Sequence, residues 1–440
     1  MQKSIKISDF YKTYYKQAAL YQTFRTVANV VDGLKNGARK VLYVVDSDNI
    51  TTDIKVANLS ARVIERTEYL HAAGSLEGAI VTLAQNFVGT NNCNLLMPEG
   101  SFGTRFVQEA SASRYIHTKK SPWFDKLFDK KDYPILNKQE FEGKQIEPQY
   151  YVPILPLILI NGSEGIGNGF SQKIFPRKLE DIKQAVLNII EGKKVKELIP
   201  YINGYKGIIE KTGDKSYVIK GCIERENATT MLITEIPFQY DLSGYLSILD
   251  KLVDNKIIKD YEDFSDNHEF KFRLDVTREF SKLSDEEILT KLKLIKNVTE
   301  NFTCIDENNQ VHEFKSEIEI LEYWVKIRLD YYNKRKTYLL KDLDNDLIRF
   351  TAKFKFIKLV VEEKLVVFKK PIQEIEKQLI EFKLSKIDDS YDFYYIIPIV
   401  QFTKEKLEEL NSKIAKVTEE KNDLLNKSIE TLWKNDMEKL

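Results

Sequence analysis

Residues 95–118 read LLMPEGSFGTRFVQEASASRYIHT. Gly100 and Gly103 mark a turn, and Ala110, Ser111, Ala112 and Ser113 form a run of small side chains beside which another backbone can come close. The run ends on Arg114–Tyr115. A tyrosine that attacks a phosphodiester forms a phosphotyrosine ester, which keeps the energy of the broken bond for resealing. A phenol has a pKa of about 10, so at neutral pH it needs a nearby cation, a base or a metal. Arg114 can stabilise both the phenolate and the charge that builds up on phosphorus during attack. Read alone, however, one Arg-Tyr pair among 23 tyrosines is more simply a packing residue.

Outward from this stretch, the composition is that of a folded chain: 440 residues, 42% hydrophobic and 30% charged. Lys+Arg and Asp+Glu balance at 67 each, so a nucleic-acid surface has to be a local patch rather than a global excess. Cys93, Cys222 and Cys304 form no CxxC pair, which argues against a disulfide framework or zinc site and for a reducing compartment. Residues 1–15 are polar and aromatic, unlike a signal peptide. The longest apolar run, 152–160, is too short for a bilayer and contains Pro153 and Pro156. These features predict a soluble, cytoplasmic protein with no membrane association.

Residues 9–25, 35–46 and 76–87 carry apolar side chains at helical spacing, compatible with a helix-turn-helix or winged-helix module. The next region changes character. Residues 152–160 read as a β-type run, and 207–209, 216–219 and 231–234 as short strands. In 269–276, Phe270, Phe272, Leu274 and Val276 alternate onto one face. With helices over 245–252 and 285–294, this is an α+β region. In the last third, Ile318, Val325, Tyr332 and Leu339 recur every seven residues, and Leu407, Leu410, Ile414, Val417 and Leu424 keep three- and four-residue steps. Two coiled-coil-like helices around an apolar segment, 348–395, predict a stalk with a small packed knob.

Three further constellations bear on function. Arg25, Lys35, Arg39 and Lys40 lie in RTVANVVDGLKNGARK, and the last three fall near one helical face that is either solvated or set against a phosphate backbone. His71 and Ser75 show no Ser-His-Asp arrangement. Residues 161–170, NGSEGIGNGF, lack the lysine and following helix of a phosphate loop. They read as a tight β-turn, or as a turn holding Ile166 out to wedge between base pairs.

In this order the stretches resemble the breakage–reunion part of type IIA DNA topoisomerases. VVDGLKNGARKVLY, LAQNFVGTNNCNLLMPEGSFGTR, SASRYI and YVPILPLILINGSEGIGNGF each look like a family motif, and TEIPF and LWKNDM carry the likeness almost to residue 440. The resemblance implies a multidomain α+β fold: a winged-helix domain at 1–130, an α/β tower domain at 131–312, a coiled-coil helix at 313–347, a C-terminal dimerisation gate at 348–400 and a returning coiled-coil helix at 401–440. It implies that Tyr115 is the nucleophile, forming a 5′-phosphotyrosyl link, with Arg114 assisting at the phosphate. Arg25, Lys35, Arg39, Lys40, His71 and Ser75 would contact the cut DNA, and Ile166 would intercalate. The chain departs from the family pattern at Ala28 and Asn36, where proline is usual, and at Ala72 and Ala73, where Gly and an acidic residue are usual.

No ATPase motif and no toprim acidic cluster is present, so no metal site is expected in this chain. ATP and Mg²⁺ would be bound by one or more partner subunits with ATPase and toprim domains, acting with a homodimer of this chain on double-stranded DNA. Such a split architecture is most similar to the DNA-cleaving medium subunits of T-even-type phage topoisomerases, which would place the protein in a host cytoplasm. Without a wrapping domain, ATP-dependent relaxation and decatenation are expected rather than negative supercoiling. The alternative is a DNA-binding architectural protein that has kept the fold and lost the chemistry.

Overall fold

In NGARKVLYVVDS, Val41, Leu42, Val44 and Val45 fall on one side of a helix, Asn36–Ser47, and all four are buried. It packs with the helices Val56–Thr67 and Ala73–Ala84, whose buried stripes are Val56, Leu59 and Val63, and Leu76, Ile80 and Leu83. The computed structural model describes residues 5–266 and 269–440. Against these helices lies a three-stranded antiparallel sheet with His117–Lys120 in the centre, flanked by Ile54–Lys55 and Leu96–Glu99. Its register pairs Thr118 with Ile54 on one side and with Pro98 on the other.

The helical expectation for 9–25 is met by an α-helix, Ile7–Phe10, a π-helical turn, Tyr11–Tyr15, and an α-helix, Lys16–Thr26. The β-type reading of 152–160 is corrected. Residues 152–156 are irregular, and Leu157–Ile160 is one helical turn entered at Pro156. Pro153 and Pro156 have no N–H to give to a ladder, and the run is apolar because every residue in it is buried.

By compactness the chain divides into two units, Met1–Arg328 with Asp436–Leu440, and Leu329–Asn435. Within the first unit, the segments expected on either side of residue 130 share one interior. Val30 N–H donates to Ile305 O at 2.8 Å, Ile305 N–H to Ala28 O at 3.1 Å, and Trp324 Nε1–H to Val31 O at 2.8 Å. The bidentate Arg177–Glu300 pair, fully buried, closes the same core with 2.6 Å bonds. This unit also holds a four-stranded antiparallel sheet, ordered Cys222–Arg225, Thr230–Glu235, Phe272–Asp275 and Asp260–Asp263. The alternation over 269–276 is realised. Phe270, Phe272, Leu274 and Val276 are all buried, against the helices Leu242–Asp254 and Asp285–Lys291.

In the second unit the helix Glu317–Val361, where it continues past Arg328, is paired with Lys404–Asn426 in the opposite direction. Lys336 Nζ donates to Leu425 O and Lys427 O, and Lys421 pairs with Asp344. Leu407, Ile414, Val417 and Leu424 are half-buried and Leu410 is buried, so the expected stripe is the packed one. A separate core forms around Phe356, Ile357, Leu365, Leu379 and Tyr394. Among the described residues no helix is long and apolar enough to cross a membrane.

Candidate nucleic-acid interface

Tyr115 sits in a turn two residues before the central strand His117–Lys120. Its neighbour Ile116 is 1% exposed and plugs the core, which drives Tyr115 outward to 68% exposure. The turn is held by backbone bonds: Tyr115 N–H to Ala112 O at 2.9 Å, and Ala57 and Val56 N–H to Ser113 O and Ile116 O at 3.2 and 3.1 Å. The last two satisfy N–H groups at the start of the Val56–Thr67 helix that have no partner within it. The Arg114 guanidinium lies 5.1 Å from the centre of the Tyr115 ring. An anchored backbone, a free phenol and an adjoining cation form an arrangement suited to nucleophilic attack on a phosphate.

The basic residues divide. Arg25 is exposed. Lys35 is half-buried and donates to Glu164 O at 2.6 Å, and desolvation, partly offset by Glu164, lowers its pKa. Arg39 and Lys40 do not form the open basic face that their spacing suggests, being 6% and 9% exposed. Arg39 grips Asp32 with bonds of 2.6 and 3.1 Å, and Asp32 also accepts the N–H groups of Leu34 and Tyr151. Burial opposes the Arg39 charge, but Asp32 outweighs it and the pKa is raised. Lys40 pairs with Glu147 at 2.7 Å and donates to Thr67 O. The reason is long-range: Glu147, more than a hundred positions away in the sequence, supplies the counter-charge that makes a buried lysine tolerable.

His71 lies between Tyr21 and Tyr69, with the Tyr21 hydroxyl 2.5 Å from its Nε2. Desolvation first, and Arg25 second, lower its pKa. Ser75 is exposed in the first turn of Ala73–Ala84. Arg25, Lys35, Lys40, His71 and Ser75 line a single cleft of about 810 Å³; Arg39, Arg114, Tyr115 and Ile166 do not line it.

The segment 161–170 is a hairpin of Ser163–Ile166 and Ser171–Ile174. It sits on the end of Lys16–Thr26. A Cβ on Gly165 would run into Thr26 O, so only glycine allows this approach. Tyr15 Oη–H donates to Asn168 Oδ1 at 3.0 Å. Ile166 is 76% exposed at the tip.

Among the described residues no group of three or more His, Cys, Asp or Glu is placed to hold a metal ion. Sequence reasoning missed Tyr21, the partner of His71, and Arg105, which is buried against Glu235 although it stands within the quoted FGTR. The departure at Ala28 has a structural counterpart. Its N–H donates to Gln172 Oε1 at 3.0 Å, a bond that proline cannot make.

The family model for the A subunit of DNA gyrase/topoisomerase IV matches residues 25–438. The mitochondrial DNA topoisomerase 2 of Dictyostelium discoideum is 32% identical over 452 residues, covering 100% of this chain and 35% of that protein. The DNA topoisomerase 2 of Saccharomyces cerevisiae is 36% identical, covering 85% of this chain and 27% of that one. The solved DNA-binding, cleavage and re-ligation domain of Plasmodium falciparum topoisomerase II has 33% identity and a TM-score of 0.88, covering 97% of this chain and 62% of that chain. The chain spans about a third of the length of the curated relatives it matches. These relatives are eukaryotic, and they lend no support to the expected likeness to phage subunits. The chain belongs to the family of DNA gyrase and topoisomerase IV A subunits, the breakage–reunion part of the type IIA DNA topoisomerases.

Proposed function

We propose that this chain cuts and rejoins double-stranded DNA through Tyr115, and the observation that carries this is the anchored, exposed phenol beside Arg114. The Tyr115 oxygen attacks the phosphorus and loses its proton to solvent. The bond to the 3′ oxygen breaks, leaving a 3′-hydroxyl and a 5′-phosphotyrosyl link, and reversal reseals the strand. Arg114 stabilises the charge on the phosphate during both steps. Arg25, Lys35, His71 and Ser75 hold the duplex from the cleft, with Arg39 and Lys40 setting the cleft wall from within. In this proposal the three helices and the three-stranded sheet take a winged-helix role, the four-stranded sheet region a tower role, and the second unit that of a coiled-coil stalk with a gate, as the family resemblance implies. ATP and Mg²⁺ belong, in this proposal, to ATPase and toprim modules outside these residues. The test is ATP-dependent relaxation of supercoiled plasmid by the chain together with those modules and Mg²⁺. Absence of any relaxation with folded components would sink the proposal.

Ile166 is assigned to intercalation. Wedging apolar side chains kink a duplex at a cost of roughly a few kcal/mol per unstacked step. Ile166→Ala should therefore reduce the DNA bend measured by end-to-end energy transfer, without changing the thermal stability of the protein. An unchanged bend would remove the assignment. Homodimerisation is assigned to the second unit, which exposes Ile396, Ile399 and Val400 at 76%, 73% and 67%. Ile399→Asp should weaken the dimer by about tenfold or more, read by sedimentation, because a charge placed in an apolar contact loses its hydration. A dimer of unaltered affinity would place the interface elsewhere.

A further inference from the structure

Residues 101–109, which lead to the Tyr115 turn, are pinned from two sides. On one side Gln85 Nε2–H donates to Phe102 O at 2.9 Å and to Gln108 O at 3.3 Å. Between these carbonyls the chain reverses at Gly103, φ 90°, where a Cβ would lie 2.5 Å from Gln108 O. On the other side stands Arg105, 8% exposed. Its guanidinium donates to Ile236 O at 3.0 Å, to Pro237 O and Phe238 O at 3.2 Å, and to Tyr240 O. Glu235 lies 3.8 Å away, and the Phe270 ring centre 4.9 Å. Phe106 adds a ring contact with Phe270 at 4.5 Å and accepts Leu242 N–H at 3.2 Å. The far end of the loop is tied back by Ser111 N–H to Ser101 O at 2.9 Å, after which come Arg114 and Tyr115.

The four carbonyls belong to the segment that leaves the strand Thr230–Glu235 for the helix Leu242–Asp254. A planar guanidinium with several fixed donors can span such a turn, whereas a lysine ammonium is a point charge with three donors. We infer that Arg105 is a positioning residue: it locks the Tyr115 loop to the four-stranded sheet region, so that a shift of that region is carried to the nucleophile. Its effect on cleavage rests on the function proposed above; its effect on the loop does not.

The experiment compares wild type, Arg105→Lys and Arg105→Gln in the full chain. Amide hydrogen exchange in the peptide covering 107–116 should rise by about tenfold in both variants. Exchange at Ile233 and Leu274, inside the four-stranded sheet, should be unchanged. With Mg²⁺ and the ATPase and toprim modules present, DNA affinity should stay within about twofold, while single-turnover cleavage of bound DNA falls on the order of 10²-fold, as expected for a displaced nucleophile. Lysine keeps the charge but not the fork, so it should not rescue cleavage. Unchanged exchange in the loop would overturn the inference. So would a parallel rise in loop and sheet, or a cleavage rate restored by lysine, since either makes Arg105 a generic structural cation. If wild type forms no covalent complex at all, the proposed function fails, and the exchange comparison still decides the role of Arg105.

Discussion

Tyr115→Phe is expected to lower formation of the covalent protein–DNA complex by at least about 10⁴-fold, the scale on which enzymes lose activity when their nucleophile is removed. The same variant should bind the duplex as wild type does. The ring is retained, so the Arg114 guanidinium keeps the face it lies against. The hydroxyl makes no hydrogen bond among the described residues, and the side chain is 68% exposed, so its loss should leave stability within about 0.5 kcal/mol. The measurement is denaturing gel capture of labelled duplex in the presence of Mg²⁺ and the ATPase and toprim modules, with affinity and melting followed in parallel. Covalent DNA that persists in the variant would move the nucleophile to another residue. A wild type that binds and bends DNA but never becomes attached to it would instead support the architectural alternative.

The pattern of what was legible in the sequence follows the range of the interactions. Local periodicity carried the alternation of Phe270, Phe272, Leu274 and Val276, and the packed stripe of Leu407 to Leu424, because each depends only on which side of a strand or helix faces the core. The prolines at 153 and 156 contained the signal against a strand, but an apolar run of that length reads equally as β when its burial is unknown. The site divided in the same way. Arg114–Tyr115 and the Ile166 hairpin are short-range constructions, and the structure holds both outward on tightly bonded turns. The fates of Lys40 and Arg105 depend on Glu147 and Glu235 and on carbonyls far along the chain, whereas Arg39 is held by Asp32, seven positions before it and within the stretch already quoted. No local charge pattern distinguishes a lysine that waits for a phosphate from one that has already met a buried carboxylate.

That distinction can be measured, and Arg39 and Arg25 give opposite expectations. Arg39→Met leaves Asp32 buried with its strongest partner gone, although the Leu34 and Tyr151 N–H groups remain. Breaking a buried pair from one side costs roughly 3–5 kcal/mol. The variant should therefore unfold at markedly lower denaturant, while the salt dependence of DNA binding by the fraction still folded stays as in wild type. Arg25 is exposed and lines the cleft. Arg25→Ala should leave the denaturation midpoint in place and reduce the slope of log Kobs against log[salt] by ~0.9, the loss of one phosphate contact. It should also raise the His71 pKa, because Arg25 is one of the groups that lowers it, an upward movement readable by NMR titration. If Arg39→Met instead reduced the salt slope with no loss of stability, Arg39 would turn out of the core when DNA binds, and the cleft wall would be part of the binding surface itself. If both variants left the slope unchanged, the duplex would not enter the cleft, and its path would have to follow the exposed Tyr115 and Ile166 without it.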